Sequence, residues 1–384
     1  ATLDQRPAVT ADGPGPTTSA GGPVRPRRWR LDLDLVHTAV FAWFGLALGF
    51  ARLSDNSFFT HLVTGRWILA HGIQRAEVYS FSAPGAKVVG QSWAAEALYA
   101  SLERQFGLFG IRVFGAVLGA TLLVLVHRLA LRITRDRTRA ALVAVPALGG
   151  VAVLWASRPL MIGLVLLVVL LWTAEVPDST VGRHPLVVVP AVFLVWANVH
   201  GSFALGFAYL GLHVAGRWAD GEPPWTGRSR TLVAATAVGA VACLVNPYGV
   251  DQLWFPVRLL GRAHELRHVI EWSSPDFHRF RGQVLLVWLV VFVVVVARAP
   301  RRPSRRDLIV ALPFLLLGFW ALRNVGLAPL VGLPVVARLV AVDPTTGDRL
   351  EVPTRAARAV VVVALVVIGL AGAGVAVRAA QEPD

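Results

Sequence analysis

Apolar runs and arginine-bearing connections alternate along this chain, and that alternation restricts its fold more than any other feature. Apolar runs recur at roughly residues 36–53, 108–131, 139–156, 159–174, 185–200, 202–218, 230–247, 283–298, 307–322, 324–341 and 358–378, about eleven in all. A bilayer core asks for about 20 apolar residues per helix, so several runs are short. The neighbouring pairs within 185–218 and 307–341 fit either one hairpin or a re-entrant pair. Arginines fall in every second connection: Arg128, Arg132, Arg135, Arg137 and Arg139; then Arg183; then Arg217, Arg228 and Arg230; then Arg298, Arg301, Arg302, Arg305 and Arg306; then Arg338, Arg349, Arg355 and Arg358. Basic loops remain on the cytoplasmic side of a membrane. A cytoplasmic N-terminus therefore places outside the loop from Ser54 to Phe106, the Ser157-Arg158-Pro159 turn, Asn198 to Ser202, the loop from Asn246 to Gly282, and Arg323-Asn324.

Composition agrees with that reading. Hydrophobic residues fill 55% of 384 positions and mean hydropathy is +0.60, too apolar for an ordinary soluble domain. The 37 Lys plus Arg against 23 Asp plus Glu leave a charge of +14, which the alternation of basic loops explains without a nucleic-acid partner. Lys87 is the single lysine, the usage of a GC-rich bacterial genome, and a bacterial plasma membrane is the expected location. The lone Cys243 excludes a disulfide framework and a cysteine metal site.

Three regions follow. Residues 1–34, rich in Pro, Gly, Thr and Ala and ending in a basic run, read as a disordered cytoplasmic tail ahead of a retained signal anchor. Residues 35–342 read as an all-α polytopic membrane domain with long outer loops at 54–107 and 247–282. Residues 343–384 read as a polar cytoplasmic linker and a last transmembrane helix. Two amphipathic helices are expected in the first outer loop. Phe58, Leu62 and Leu69 share one face of the first, widened by Phe59, Val63 and Trp67, before Gly72. The second carries the stripe Ala95, Leu98, Leu102 and Phe106, with Glu96 and Glu103 opposite and Gly107 as its stop. Both are expected to lie on the membrane surface, aromatic side down.

The outer face collects the unusual polar residues. Its carboxylates are Asp55, Glu77, Glu96, Glu271 and Asp276; His61 and His200 are among its imidazoles; Arg158 and Arg323 stand at span ends, where guanidinium forks can hold a phosphate. Plainer roles are open to the same residues. Asp55 is a helix N-cap, Glu96 a solvated residue in a first helical turn, and Asn198, His200 and Asn324 caps where backbone leaves the bilayer.

Several short motifs carry a family resemblance over about residues 36–342. They are Asp55 followed by Phe58-Phe59-Thr60-His61-Leu62-Val63-Thr64-Gly65-Arg66-Trp67-Ile68-Leu69, then Tyr79-Ser80-Phe81-Ser82, Gln91-Ser92-Trp93, Trp196 to Ser202, Asn246-Pro247-Tyr248-Gly249, Glu271 to Phe277 and Arg323-Asn324. In order and in shared membrane side the set resembles bacterial membrane proteins related to the GT-C glycosyltransferases. The resemblance implies a fold of many spans and transfer of a sugar from a polyprenyl-phosphate carrier to a glycan, lipid or protein acceptor of the cell envelope. It implies Asp55 as general base or as ligand of a divalent cation such as Mg or Mn, with Glu77, Glu96 and Glu271 as secondary acidic groups. Arg158 and Arg323 would clamp the lipid phosphate, and His61, Asn198, His200, Asp276 and Asn324 would orient substrate. The chain departs from the pattern where a second acidic residue would stand, at Asn56 or Ser57, and at Glu77-Val78, where the pattern has an acidic residue before proline. That departure weakens a two-carboxylate metal site. Two further readings carry different expectations: a flippase for lipid-linked saccharides calls for a polar path across the midplane, and a non-catalytic membrane partner needs only the fold.

Overall fold

The computed structural model describes residues 33–262, 266, 268–342 and 355–381. The expected disorder of 1–34 falls almost wholly, and the linker 343–354 entirely, outside the described residues. Every regular element among the described residues is helical, apart from one isolated bridge between Ala76 and Lys87. In chain order they are α1 (Leu33–Gly49), α2 (Asn56–His71), α3 (Trp93–Thr134), α4 (Arg137–Leu154), α5 (Leu160–Glu175), the single turn α6 (Thr180–Arg183), α7 (Pro185–Val199), α8 (Phe203–Ala219), α9 (Gly227–Ala242), α10 (Val250–Leu260), α11 (Phe280–Arg298), α12 (Arg305–Trp320), α13 (Leu327–Leu339) and α14 (Arg355–Gln381). Short 3-10 turns at Ile270–Trp272 and Leu322–Asn324 lie between them.

Among the described residues five stretches are long and apolar enough to cross a membrane: α3, α4, α11, Leu322–Leu339 and Val362–Ala379. Helices α1, α5 and α7 are apolar but shorter. Each apolar run of the sequence does become a helix, yet length separates these five from the rest of the eleven.

The helix ends carry local signals. Asp55 caps α2 and Asp136 caps α4 through their side chains, and Ser304 with Asp307 forms a capping box on α12. Gly107, at φ 65 and ψ −169, is non-helical and divides α3 at a kink, so the amphipathic stretch stops there, as expected, and a second helical stretch carries the following span.

Within residues 32–384, α13 is the core. Leu327 to Ala337 are all buried, against α12, α4, α11, α3 and α5. Helix α1 lies so close to α3 that a Cβ on Gly45 or Gly49 would run into the backbone of Gly119 or Ala116. Helix α14 packs on α1 and α3, pinned by the buried Arg112, whose Nη1 donates to the Ala379 carbonyl at 2.7 Å and whose Nη2 donates to the Phe50 carbonyl at 2.7 Å.

The amphipathic faces differ from the expectation. Helix α2 buries Phe58, Leu62, Gly65 and Ile68, whereas Phe59, Val63 and Leu69 are exposed. The α3 start buries Ala95, Glu96, Tyr99 and Ala100 and exposes Leu98 and Phe106. The reason is close packing through small residues. Gly65 sits on the backbone of Glu96 beside the Ala100 methyl, and the buried carboxylate of Glu96 is met by His61. The apolar stripe is left on the outside of the helix assembly.

The alternation of the sequence reappears as two ends of the helix assembly. At one, Arg132 pairs with Asp178, Arg338 with Glu175 and Asp307, Asp220 accepts from the Arg305 and Arg306 amides, and Arg139 donates to the Val340 carbonyl. At the other, Arg158 joins Asp55 to Glu271, the Trp93 indole donates to Asn198, and the Leu322 amide donates to the Ser273 carbonyl.

Candidate functional site

The second end gathers the candidate site. The backbone of Asp55 is extended at φ −88 and ψ 115, and its Oδ1 accepts from the Ser57 amide at 3.0 Å and the Ser57 hydroxyl at 3.1 Å. The same carboxylate meets Arg158, which the turn between α4 and α5 carries to it. Nη2 donates to Oδ1 at 2.9 Å, and Nε donates to Oδ2. Nη1 of Arg158 donates to Glu271 Oε1 at 2.5 Å, so one guanidinium ties the segment before α2 to the 3-10 turn at 270–272. Asp55 is at once the cap of α2 and half of an ion pair. Burial works to raise its carboxyl, but hydrogen bonds from Arg158 and Ser57 outweigh that and hold it below the ordinary aspartate range.

Arg323 arrives from the turn between α12 and α13. Its guanidinium lies over the Trp272 ring, 4.7 Å from the centroid, and among the described residues it has no carboxylate in hydrogen-bonding contact. It is therefore a cation held against an aromatic face, within electrostatic reach of the Glu271 carboxylate.

His200 sits just past α7. Its Nδ1 accepts from the Ser202 amide at 3.1 Å and contacts the Ser202 hydroxyl at 2.8 Å, while that hydroxyl accepts from the Trp196 indole at 3.0 Å. An accepting Nδ1 leaves the ring proton on Nε2. Burial first, and then the positive charge of Arg323, His61 and Arg158, pushes the imidazole down to about 3, so His200 is a neutral donor at ordinary pH. His61 Nδ1 and Glu96 Oε1 meet at 2.8 Å, and the second Glu96 oxygen is buried with no partner among the described residues.

The structure thus brings Asp55, Arg158, Glu271, Arg323 and His200 into one neighbourhood, with His61 and Glu96 next to it. Other candidates lie elsewhere. The Glu77 carboxylate closes its own turn, accepting from the Tyr79 and Ser80 amides at 2.6 and 2.9 Å, which holds it below the usual range. Asp276 accepts from the His278 amide at 2.9 Å and pairs with Arg279 on the surface. Asn198 is structural: it accepts from Trp93 and donates to the Leu194 and Val245 carbonyls at 2.8 and 2.9 Å. Asn324 stands beside Arg323, with its backbone amide bonded to the Ala321 carbonyl. Glu96 is not solvated, at 7% exposure.

A divalent cation does not fit this arrangement. Both oxygens of Asp55 are engaged by Arg158, and among the described residues no three His, Cys, Asp or Glu side chains come together as a ligand set. Beside Arg158 a crevice of about 10 Å³ is lined by Tyr99, Phe114, Trp155 and Met161, room for about one water. Trp272 belongs to the site although its sequence signal was only an aromatic residue beside an acid. Gln252, which donates to the Ala197 and Gln91 carbonyls and braces the surrounding loops, had no sequence signal at all.

Compared with protein-family models, with curated proteins and with solved structures, the chain has no match.

Proposed function

We propose that this protein is an integral membrane glycosyltransferase of GT-C type, moving a sugar from a polyprenyl-phosphate donor to a cell-envelope acceptor at the Asp55 end. In this reading about eleven helical segments enter a bacterial plasma membrane. The end rich in Arg132, Arg139 and Arg306 is cytoplasmic and the Asp55 end faces outward, as basic loops require. The observation that carries the proposal is the convergence, from four separate segments, of two guanidiniums and two carboxylates beside an apolar crevice.

The chemistry asks for those groups. The acceptor hydroxyl attacks the anomeric carbon, the bond from that carbon to the phosphate oxygen breaks, and the lipid phosphate departs with the bonding electrons. A carboxylate takes the hydroxyl proton. Glu271, the more exposed of Arg158's two partners at 34%, is the better placed to accept it, since Asp55 is held by four donors. Arg323, which has no carboxylate in hydrogen-bonding contact among the described residues, receives the phosphate, and Arg158 shares its charge with it. His200 donates Nε2–H to an oxygen of donor or acceptor. The narrow crevice beside Arg158 would have to widen between α3 and α5 to take the first isoprene unit.

The commitment of Asp55 to Arg158 and Ser57 favours a second reading, a non-catalytic protein that keeps this fold. One assay separates the two. Purified protein in lipid discs is offered radiolabelled polyprenyl-phosphate sugars with envelope acceptors, beside Glu271→Gln, Asp55→Asn and Arg323→Gln. Transfer reduced about 100-fold in Glu271→Gln and in Arg323→Gln supports the transferase. Transfer that survives both substitutions removes these residues from the mechanism. No transfer by the native protein across the donor panel favours the non-catalytic reading.

A further inference from the structure

The opposite end of the helix assembly holds a cavity of about 390 Å³ lined by Arg132, Arg135, Arg306, Arg338, Glu175 and Asp178, with Ile133 and Val176. Its volume lies in the range of small-molecule sites. Four guanidiniums face two carboxylates, and the pairing is uneven. Arg132 is matched by Asp178, and Arg338 by Glu175, at 2.5 Å, and Asp307. That leaves two cations. Among the described residues Arg306 has Asp307 at 3.7 Å as its ion-pair partner, with Glu175 within electrostatic reach, and its Nε is buried with no acceptor among them. Arg135 makes no ion pair among the described residues, and its backbone is left-handed at φ 59. It occupies the position after α3 where glycine or asparagine is the usual residue. A buried guanidinium N–H is unfavourable without an acceptor, and an anion in the cavity would supply one to the Arg306 Nε.

We infer that this cavity binds a phosphate ester, with Arg306 and Arg135 as its principal donors and Arg132 and Arg338 at its wall. Guanidinium forks match phosphate oxygens in pairs. Because the site opens at the ends of α3, α5 and α13, the phosphate can belong to a lipid headgroup or to a soluble ester. The positive lining accepts an anionic headgroup such as phosphatidylglycerol and repels the choline of phosphatidylcholine. The inference does not depend on glycosyl transfer at the Asp55 end.

The test is native mass spectrometry of the full chain in mild detergent, titrated separately with phosphatidylglycerol, phosphatidylcholine and inorganic phosphate. The variants are Arg306→Gln and Arg135→Gln, with Arg135→Lys to keep the charge. Preferential retention of phosphatidylglycerol assigns a lipid headgroup, and retention of inorganic phosphate without lipid preference assigns a soluble ester. In either case binding weakens about tenfold in Arg306→Gln and in Arg135→Gln and less in Arg135→Lys. Thermal unfolding of each variant is read without ligand, and a midpoint near that of the native protein shows that the weakened binding is local. Absence of phosphate and phosphatidylglycerol binding by the native protein overturns the inference, as does binding unchanged in both glutamine variants.

Discussion

Arg158 clasps Asp55 at two points, Nη2 on Oδ1 at 2.9 Å and Nε on Oδ2, while the same carboxylate caps α2. Two demands on one side chain join the start of a helix to a turn 103 residues further along the chain.

The clasp makes a stability prediction. Arg158→Gln leaves Asp55 and Glu271 without their cation in a half-buried site and is expected to destabilise by about 1–3 kcal/mol. Asp55→Asn retains a capping oxygen but loses the pair, whereas Asp55→Ala loses both, for about 1 kcal/mol more. Unfolding titrations in mixed micelles measure all three. Equal stability of the asparagine and alanine variants would remove the capping role.

Acid is expected to weaken the Asp55 contribution. Its folded carboxyl lies below the ordinary value of about 3.9, so the unfolded chain binds the proton more readily. The contribution is complete above about pH 5 and is lost as pH falls through the folded value. The native protein should therefore lose more stability than Arg158→Gln below about pH 4, a difference that unfolding curves across pH would show.

His200 acts in a different window. The folded imidazole titrates at about 3 and the unfolded one near 6.5, so below pH 6.5 the unfolded chain gains a proton that the folded one refuses. Stability from this residue is complete above about pH 6.5 and declines by about 1.4 kcal/mol per pH unit toward 3. His200→Gln should flatten that slope. A histidine resonance assigned to position 200 that titrates near 6.5 in the folded protein would sink the assignment.

Helix contact between α1 and α3 depends on missing side chains. Gly45→Val drives a side chain into the Gly119 backbone and is expected to destabilise by about 3 kcal/mol. Gly211 has open space around its Cβ, so Gly211→Ala should be neutral or stabilising by up to about 1 kcal/mol. Thermal unfolding of the pair provides its own control.

Much of the fold was legible one segment at a time. A run of apolar residues makes a helix wherever its backbone groups cannot reach water, so the runs at 139–156, 159–174 and 283–298 correspond to α4, α5 and α11. The grouping of loops at two ends was legible in the arginines. The buried face of α2 was not, because apolar residues suit lipid and protein interior equally, and periodicity cannot say which side meets Gly65 and Glu96. Nor did the sequence separate Glu271 from Glu77, two loop glutamates of similar appearance.

What the sequence determined by itself is the helical class and the order of the segments, since hydropathy acts within a segment. Only tertiary structure decided that Arg158 reaches both Asp55 and Glu271, that Arg323 rests on Trp272, and that Glu77 and Asp276 close their own turns. Those relations depend on how four distant segments pack. A guanidinium finds its partner by distance and orientation in space, which no spacing along the chain records.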